Sequence, residues 1–170
     1  MILSLVLALG FIGVTLAGDP KVGGPFDVKA ITGEKKGEEL CYYCLYNSQA
    51  RPAVVMIFTN KADDNLVTLV KSVDEVQKSN AKLGTVVVGV SGVTSADFEK
   101  LQTTHKLTTP LTIATDKDGP SKYNLDKGDA VTVLVYKKDK SIAKSYTFKD
   151  TKAAAEKAAE VAASATEALK

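Results

Sequence analysis

The chain has no tryptophan, one histidine and two cysteines, and Arg51 is its only arginine. Each shortage removes a class of function. A zinc or copper site usually takes three or four ligands, and His105 with Cys41 and Cys44 falls short of that. A c-type haem attachment is excluded as well, because Leu45 stands where Cys-x-x-Cys-His requires histidine. Nucleic-acid binders cluster Arg and Lys with aromatics between them. Here 22 Lys+Arg are scattered among 20 Asp+Glu, and aromatics make up 6% of the chain. Gly84, Gly89 and Gly92 lack the strand–turn–helix spacing of a phosphate loop. Asp116, Asp118 and Gly119 lack the glutamate that a calcium loop places in register, and a turn explains them. No serine sits in an elbow motif. No segment repeats at a fixed period, so solenoids and propellers are excluded.

What remains is ordinary globular composition. The 170 residues are 45% hydrophobic with a net charge of +2, which suits one domain. A chain of this size buries enough surface to fold without metals or cross-links. Residues 1–18, MILSLVLALGFIGVTLAG, carry no charge and stop at Asp19-Pro20-Lys21. The run is short for a membrane span, and Thr15-Leu16-Ala17 has the small-x-small pattern of a signal-peptidase site. The expectation is a secretory signal over 1–18, cut near Ala17 or Gly18, and a secreted or periplasmic domain over 19–170 with no membrane span. The positive n-region of such signals is missing, so a retained anchor is the other reading.

Along the domain, Phe26 to Ile31 alternates apolar and polar, as in a half-buried strand. Ala53 to Phe58 and Thr85 to Val90 are continuous apolar runs, suited to strands buried on both faces. Between them, Asp63 or Asp64 can cap a helix whose stripe is Leu66, Leu69, Val70, Val73 and Val76. Thr94 and Asp97 have capping-box spacing, and Phe98, Leu101 and His105 then share a helical face. Leu111 to Ala114 reads as a strand, and Pro120 opens a short helix. Val131 to Tyr136 and Ser141 to Phe148 read as a hairpin. Thr151 is expected to cap an Ala-rich helix over 151–170. Strands alternating with helices, followed by a hairpin, predict an α/β sandwich with a mixed central β-sheet flanked by helices.

Several segments carry a family resemblance in order: Phe26-x-Val28 before Thr32-Gly33; VVVGVSGVTSADFEKLQTTHKL; Thr109-Pro110-Leu111; ATDKDGPSKYNL; and VTVLVYKKDKSI. Together, over about residues 25–148, they resemble the thioredoxin-like superfamily in its redoxin or peroxiredoxin-like branch (alkyl hydroperoxide reductase/thiol-specific antioxidant). That resemblance implies a nucleophilic cysteine just beyond the first long central strand, at the start of the next helix, where the helix N-terminus and cations favour thiolate. It also implies a cis-proline facing that cysteine. Here the two places read Thr59-Asn60-Lys61-Ala62-Asp63-Asp64 and Asp129-Ala130-Val131. Neither holds the expected residue, so peroxidase chemistry is not expected at the usual site.

The cysteines lie instead in Cys41-Tyr42-Tyr43-Cys44, ahead of the central strand and, by strand length, toward the opposite end of the sheet unless residues 45–52 fold it back. Two intervening residues are the oxidoreductase spacing. One reading is thiol–disulfide exchange with a thiol- or disulfide-bearing protein, without a cofactor. Cys41 would attack as the N-terminal and more exposed thiol, and Cys44 would resolve. Tyr42, Tyr43 and Tyr46 would offer a platform to the partner, and Arg51 with Lys35 and Lys36 would stabilise thiolate. The other reading is a structural disulfide in a non-catalytic thioredoxin-fold interaction module. A metal site, lacking ligands, comes third.

Overall fold

The computed structural model of the protein describes residues 22–170; the leader expected over 1–18 lies outside them. In chain order the elements are β1 (Val28–Ala30), β2 (Glu39–Leu40), α1 (Tyr42–Ser48), β3 (Ala53–Thr59), α2 (Asp64–Ser79), β4 (Gly84–Gly89), α3 (Ser95–His105), β5 (Leu111–Ala114), a 3-10 turn (Ser121–Tyr123), β6 (Val131–Lys137), β7 (Ile142–Phe148), α4 (Thr151–Glu156) and α5 (Ala158–Ala168). The strands form one seven-stranded mixed sheet in the order β2-β1-β5-β4-β3-β6-β7. Strands β5, β4 and β3 run parallel, and the flanking pairs are antiparallel. The expected α/β sandwich with a mixed sheet is therefore the architecture found.

Every residue of β3 is buried, as its unbroken apolar run requires. Ala53, Val55 and Ile57 point to one face and Val54, Met56 and Phe58 to the other. The first face is covered by α2, α4 and α5. Leu66, Leu69, Val70 and Val73 of α2 pack there with Ala154, Ala158, Val161 and Ala165, whose small side chains let the helices lie close. The second face is covered mainly by aromatic rings from α1, the 3-10 turn and the segment before β1.

The helices start where side chains satisfy their first N–H groups. Asp63 caps α2, with Leu66 N–H donating to its carboxylate at 3.0 Å. Thr94 and Asp97 make the capping box of α3. The final helix differs from expectation in two ways. Its N-cap is Asp150, which accepts from Ala153 N–H at 2.7 Å. Thr151 instead donates its hydroxyl to Asp63 at 2.6 Å, tying the start of α4 to the start of α2. The helix is also broken at Lys157 into α4 and α5. The first strand is shorter than expected and gains β2 as a partner. Among the described residues no helix is long and apolar enough to cross a membrane.

One buried carboxylate locks the first face to the sheet. Asp74 of α2 accepts from Thr108 N–H (2.8 Å), Thr109 N–H (2.9 Å) and the Thr109 hydroxyl (2.5 Å), and so holds the turn that feeds β5. Replacing it with alanine leaves two backbone donors unpaired in a dry site. Asp74→Ala is expected to cost on the order of 3 kcal/mol in urea unfolding. A loss below a few tenths would show that the latch carries no stability.

Candidate functional site

Residues 41–48 read CYYCLYNS, and Tyr42, Tyr43 and Tyr46 fall at one and three residues apart, which is one stripe of a helix. That stripe is what α1 buries: Tyr42, Tyr43 and Tyr46 all face the sheet. They are therefore part of the core, and the expected tyrosine platform for a partner is not on the surface. Tyr42 and Tyr46 rings lie 5.5 Å apart, and Tyr43 sits 6.3 Å from Tyr136 of β6. The Tyr46 hydroxyl donates to the Thr85 carbonyl of β4 at 2.6 Å. Gly84 makes room for this ring, because a Cβ there would stand 2.9 Å from Tyr46.

Cys41 is the N-cap of α1, and Cys44 lies in its first turn. The two are joined as a disulfide with Cα atoms 5.2 Å apart. Cys44 N–H donates to Cys41 Sγ at 3.0 Å. Cys41 is half-buried, packed against the aromatic face, whereas Cys44 is exposed. This reverses the exposure expected for the pair.

The strand register fixes where the helix begins. Val28 pairs with Leu40 on one side and with Ala114, the last residue of β5, on the other. Leu40 therefore lies level with the carboxyl end of the parallel strands. From there α1 turns back across the sheet until Tyr46 reaches Thr85 near the start of β4. The cysteine pair is thus not stranded at the entrance to β3. It starts at the carboxyl end, displaced toward the β2 edge and on the face opposite α2.

The cations named from sequence are engaged elsewhere. Lys35 pairs with Glu38 at 3.4 Å, and Lys36 with Glu99 at 3.4 Å. Arg51 bonds Gln49 and the Ala81 carbonyl and lies over the Tyr46 ring, beyond the other end of α1. Burial, with the negative charges of Glu38 and Glu34 added to it, pushes the Tyr42 hydroxyl up to about 12. Burial also raises Tyr46, Tyr123 and Tyr136.

The position that holds a thiol in redoxins is committed to structure. Asn60 N–H donates to the Ala130 carbonyl and its Nδ2 to the Asp129 carbonyl, both at 3.1 Å. Asp63 caps α2, and Asp64 lies 3.1 Å from His105 Nε2. Lys149 pairs with Asp129 at 2.7 Å. No cis peptide occurs among the described residues. His105 ends α3 beside Asp64, apart from the cysteines, and among the described residues no three His, Cys, Asp or Glu side chains gather as metal ligands.

No family model matches the sequence, and no curated protein does. Solved structures do match its fold. A thiol:disulfide interchange protein of the thioredoxin family from Chlorobium tepidum has a TM-score of 0.60 at 15% identity, with 87% of this chain and 99% of that one covered. Peroxidoxin BcpB from Mycobacterium tuberculosis has a TM-score of 0.59 at 17% identity, with 85% and 95% covered. A secreted disulfide oxidoreductase, also from Mycobacterium tuberculosis, has a TM-score of 0.55 at 13% identity, with 79% and 95% covered. The chain has the thioredoxin fold.

Two expectations follow from this geometry. Tyr42, Tyr46, Tyr123 and Tyr136 ionise near pH 10 in the unfolded chain and higher in the folded one, so the folded state binds more protons above pH 10. Their contribution to stability is complete below pH 10 and declines from pH 10 through about 12 and beyond. Melting temperature against pH, with tyrosinate absorbance recorded in parallel, should fall over that window. A flat profile between pH 10 and 12 would contradict the buried aromatic face. Gly84→Ala should cost about 1–3 kcal/mol by overpacking against Tyr46, read by chemical denaturation. A neutral result would mean that α1 does not rest on β4.

Proposed function

We propose that this protein carries out thiol–disulfide exchange through Cys41 and Cys44, in an oxidising compartment outside the cytoplasm, on a thiol- or disulfide-bearing protein. The observation that carries the reading is a closed Cys-x-x-Cys disulfide with one exposed member, on a thioredoxin fold whose customary site has no sulfur. The proteins of similar fold include a thiol:disulfide interchange protein and a secreted disulfide oxidoreductase, which supports that chemistry and that location. The Cys-x-x-Cys spacing supports it too.

Energetics favour redox over a purely structural bond. A loop closed by residues 41 and 44 restricts the unfolded chain by about 2 kcal/mol in the chain-entropy account. Helix α1 is meanwhile fixed by three buried tyrosine side chains, each contributing roughly 1.5–3 kcal/mol by burial. The bridge is therefore a minor part of what holds the segment, and it sits at the surface, where strained or reactive disulfides are found. Peroxidase activity is not part of this proposal, because Thr59 to Asp64 offer no thiol.

Titration in redox buffers with an alkylation readout should give a potential above about −300 mV, with turnover of insulin disulfides in parallel. A potential well below that value together with no turnover would sink the proposal in favour of a structural bridge. Replacing both cysteines with serine should abolish turnover while lowering the melting temperature by about 4–8 °C, without unfolding the protein.

A further inference from the structure

We infer that Cys44, not Cys41, is the sulfur that bonds to the partner, and that Cys41 is the leaving and resolving thiolate. This inference rests on the exchange proposed above. In the usual Cys-x-x-Cys arrangement it is the N-terminal member that meets the partner. Here three features of α1 invert the roles.

The first is access. Displacement at sulfur proceeds in line, so an incoming thiolate approaches along the extension of the S–S bond. That bond runs from half-buried Cys41 to exposed Cys44. Attack on Cys44 Sγ comes from solvent. Attack on Cys41 Sγ would have to come from the side packed against the buried tyrosine face.

The second is the leaving group. Exchange is faster when the departing sulfur carries negative charge more easily. Cys41 Sγ already accepts the Cys44 N–H at 3.0 Å, and a hydrogen bond to an anion is stronger than one to a neutral acceptor. Charge that develops on Cys41 as the bond breaks is therefore met by a donor already in place. The hydrogen bonds of the described structure provide no such donor for Cys44 Sγ.

The third is rigidity. Cys41 is held where the helix begins, and the neighbouring Tyr42 and Tyr43 are locked in the core. The resolving sulfur stays within reach of Cys44 throughout the cycle.

The steps balance. A partner thiolate attacks Cys44 Sγ, forming a partner–Cys44 disulfide and releasing Cys41 as thiolate. A second partner thiolate then attacks the partner sulfur of that bond and expels Cys44 thiolate. The partner's dithiol has been oxidised to a disulfide, and the Cys41–Cys44 bond has gained two electrons. In the reducing direction Cys44 thiolate attacks the partner disulfide and expels one partner thiolate. Cys41 thiolate then attacks Cys44 Sγ, expels the second and restores the bridge.

The test compares Cys41→Ser with Cys44→Ser, using glutathione disulfide as the probe. Serine at 41 still offers an N-cap oxygen, so the helix start is kept. The limiting rate of glutathione adduct formation at high pH, where each lone thiol is ionised, should be at least tenfold greater for Cys41→Ser. In the wild-type protein, reduced and then mixed briefly with glutathione disulfide and acid-quenched, fragmentation of the peptide spanning 41 and 44 should place glutathione on Cys44. Equal or reversed rates, or glutathione found on Cys41, would overturn the assignment. The wild-type measurement decides the matter if a serine variant fails to fold, as judged by circular dichroism. The wild-type redox potential reads the exchange itself. A very low potential with no insulin turnover rejects the exchange, whereas the site and rate of adduct formation reject or support the assignment alone.

Discussion

A strand that is apolar on both sides must be covered on both sides, and β3 imposes that demand on everything around it. Helices α2, α4 and α5 satisfy one face with aliphatic stripes and small residues. Among the described residues the other face has a single short α-helix, and seven residues of α1 could not shield it with alanines. Large rings make up the difference. Tyr42, Tyr43 and Tyr46 from α1, Tyr123 from the 3-10 turn, Tyr136 from β6, and Phe26 and Phe58 spread over the sheet. Phe26, Phe58 and Tyr123 meet with centroids 5.0–5.8 Å apart. Such contacts add about 0.5–1.5 kcal/mol each beyond their burial. The location of the cysteines follows from this covering layer, because they occupy the first turn of the helix that delivers three of its rings.

The customary redoxin pole shows the converse. Thr59 to Asp64 and Asp129 to Ala130 still meet, and Asn60 Nδ2, the Asp63 carboxylate and the Asp129 carboxylate are engaged in holding strands and helices together. Two aspartates at the start of α2 complement its N-terminal partial charge. They also make the place hostile to a thiolate. The fold has thus kept the scaffold of that pole, while its only sulfur couple lies on the opposite face of the sheet.

Much of the scaffold was legible in the residues. AVVMIF and TVVVGV suited inner strands, and the Leu66–Val73 stripe with an aspartate before it announced α2. What was missed came from short-range competition. Beta strand β2 has two residues, too few for any periodic signal. In CYYCLYNS the tyrosine spacing did encode a helical face, and the same residues carry both the Cys-x-x-Cys spacing and the packing stripe. Asp150 and Thr151 are both N-cap types, with aspartate the stronger, and the Thr151 hydroxyl is taken up by Asp63. The engagement of Lys36 and Arg51 depends on Glu99 and Ala81, which are distant in sequence, whereas Lys35 pairs locally with Glu38. The greater exposure of Cys44 follows from the phase of the tyrosine stripe, which turns position 44 away from the sheet.

The hydrogen bond from Tyr46 to the Thr85 carbonyl spans 39 residues of chain and bypasses the sulfur bridge altogether. Opening that bridge removes no ring from the sheet and no anchor from the helix. Oxidised and reduced molecules should then share one silhouette, and a protein that distinguishes them would have to sense the sulfur atoms themselves and not a movement of the backbone.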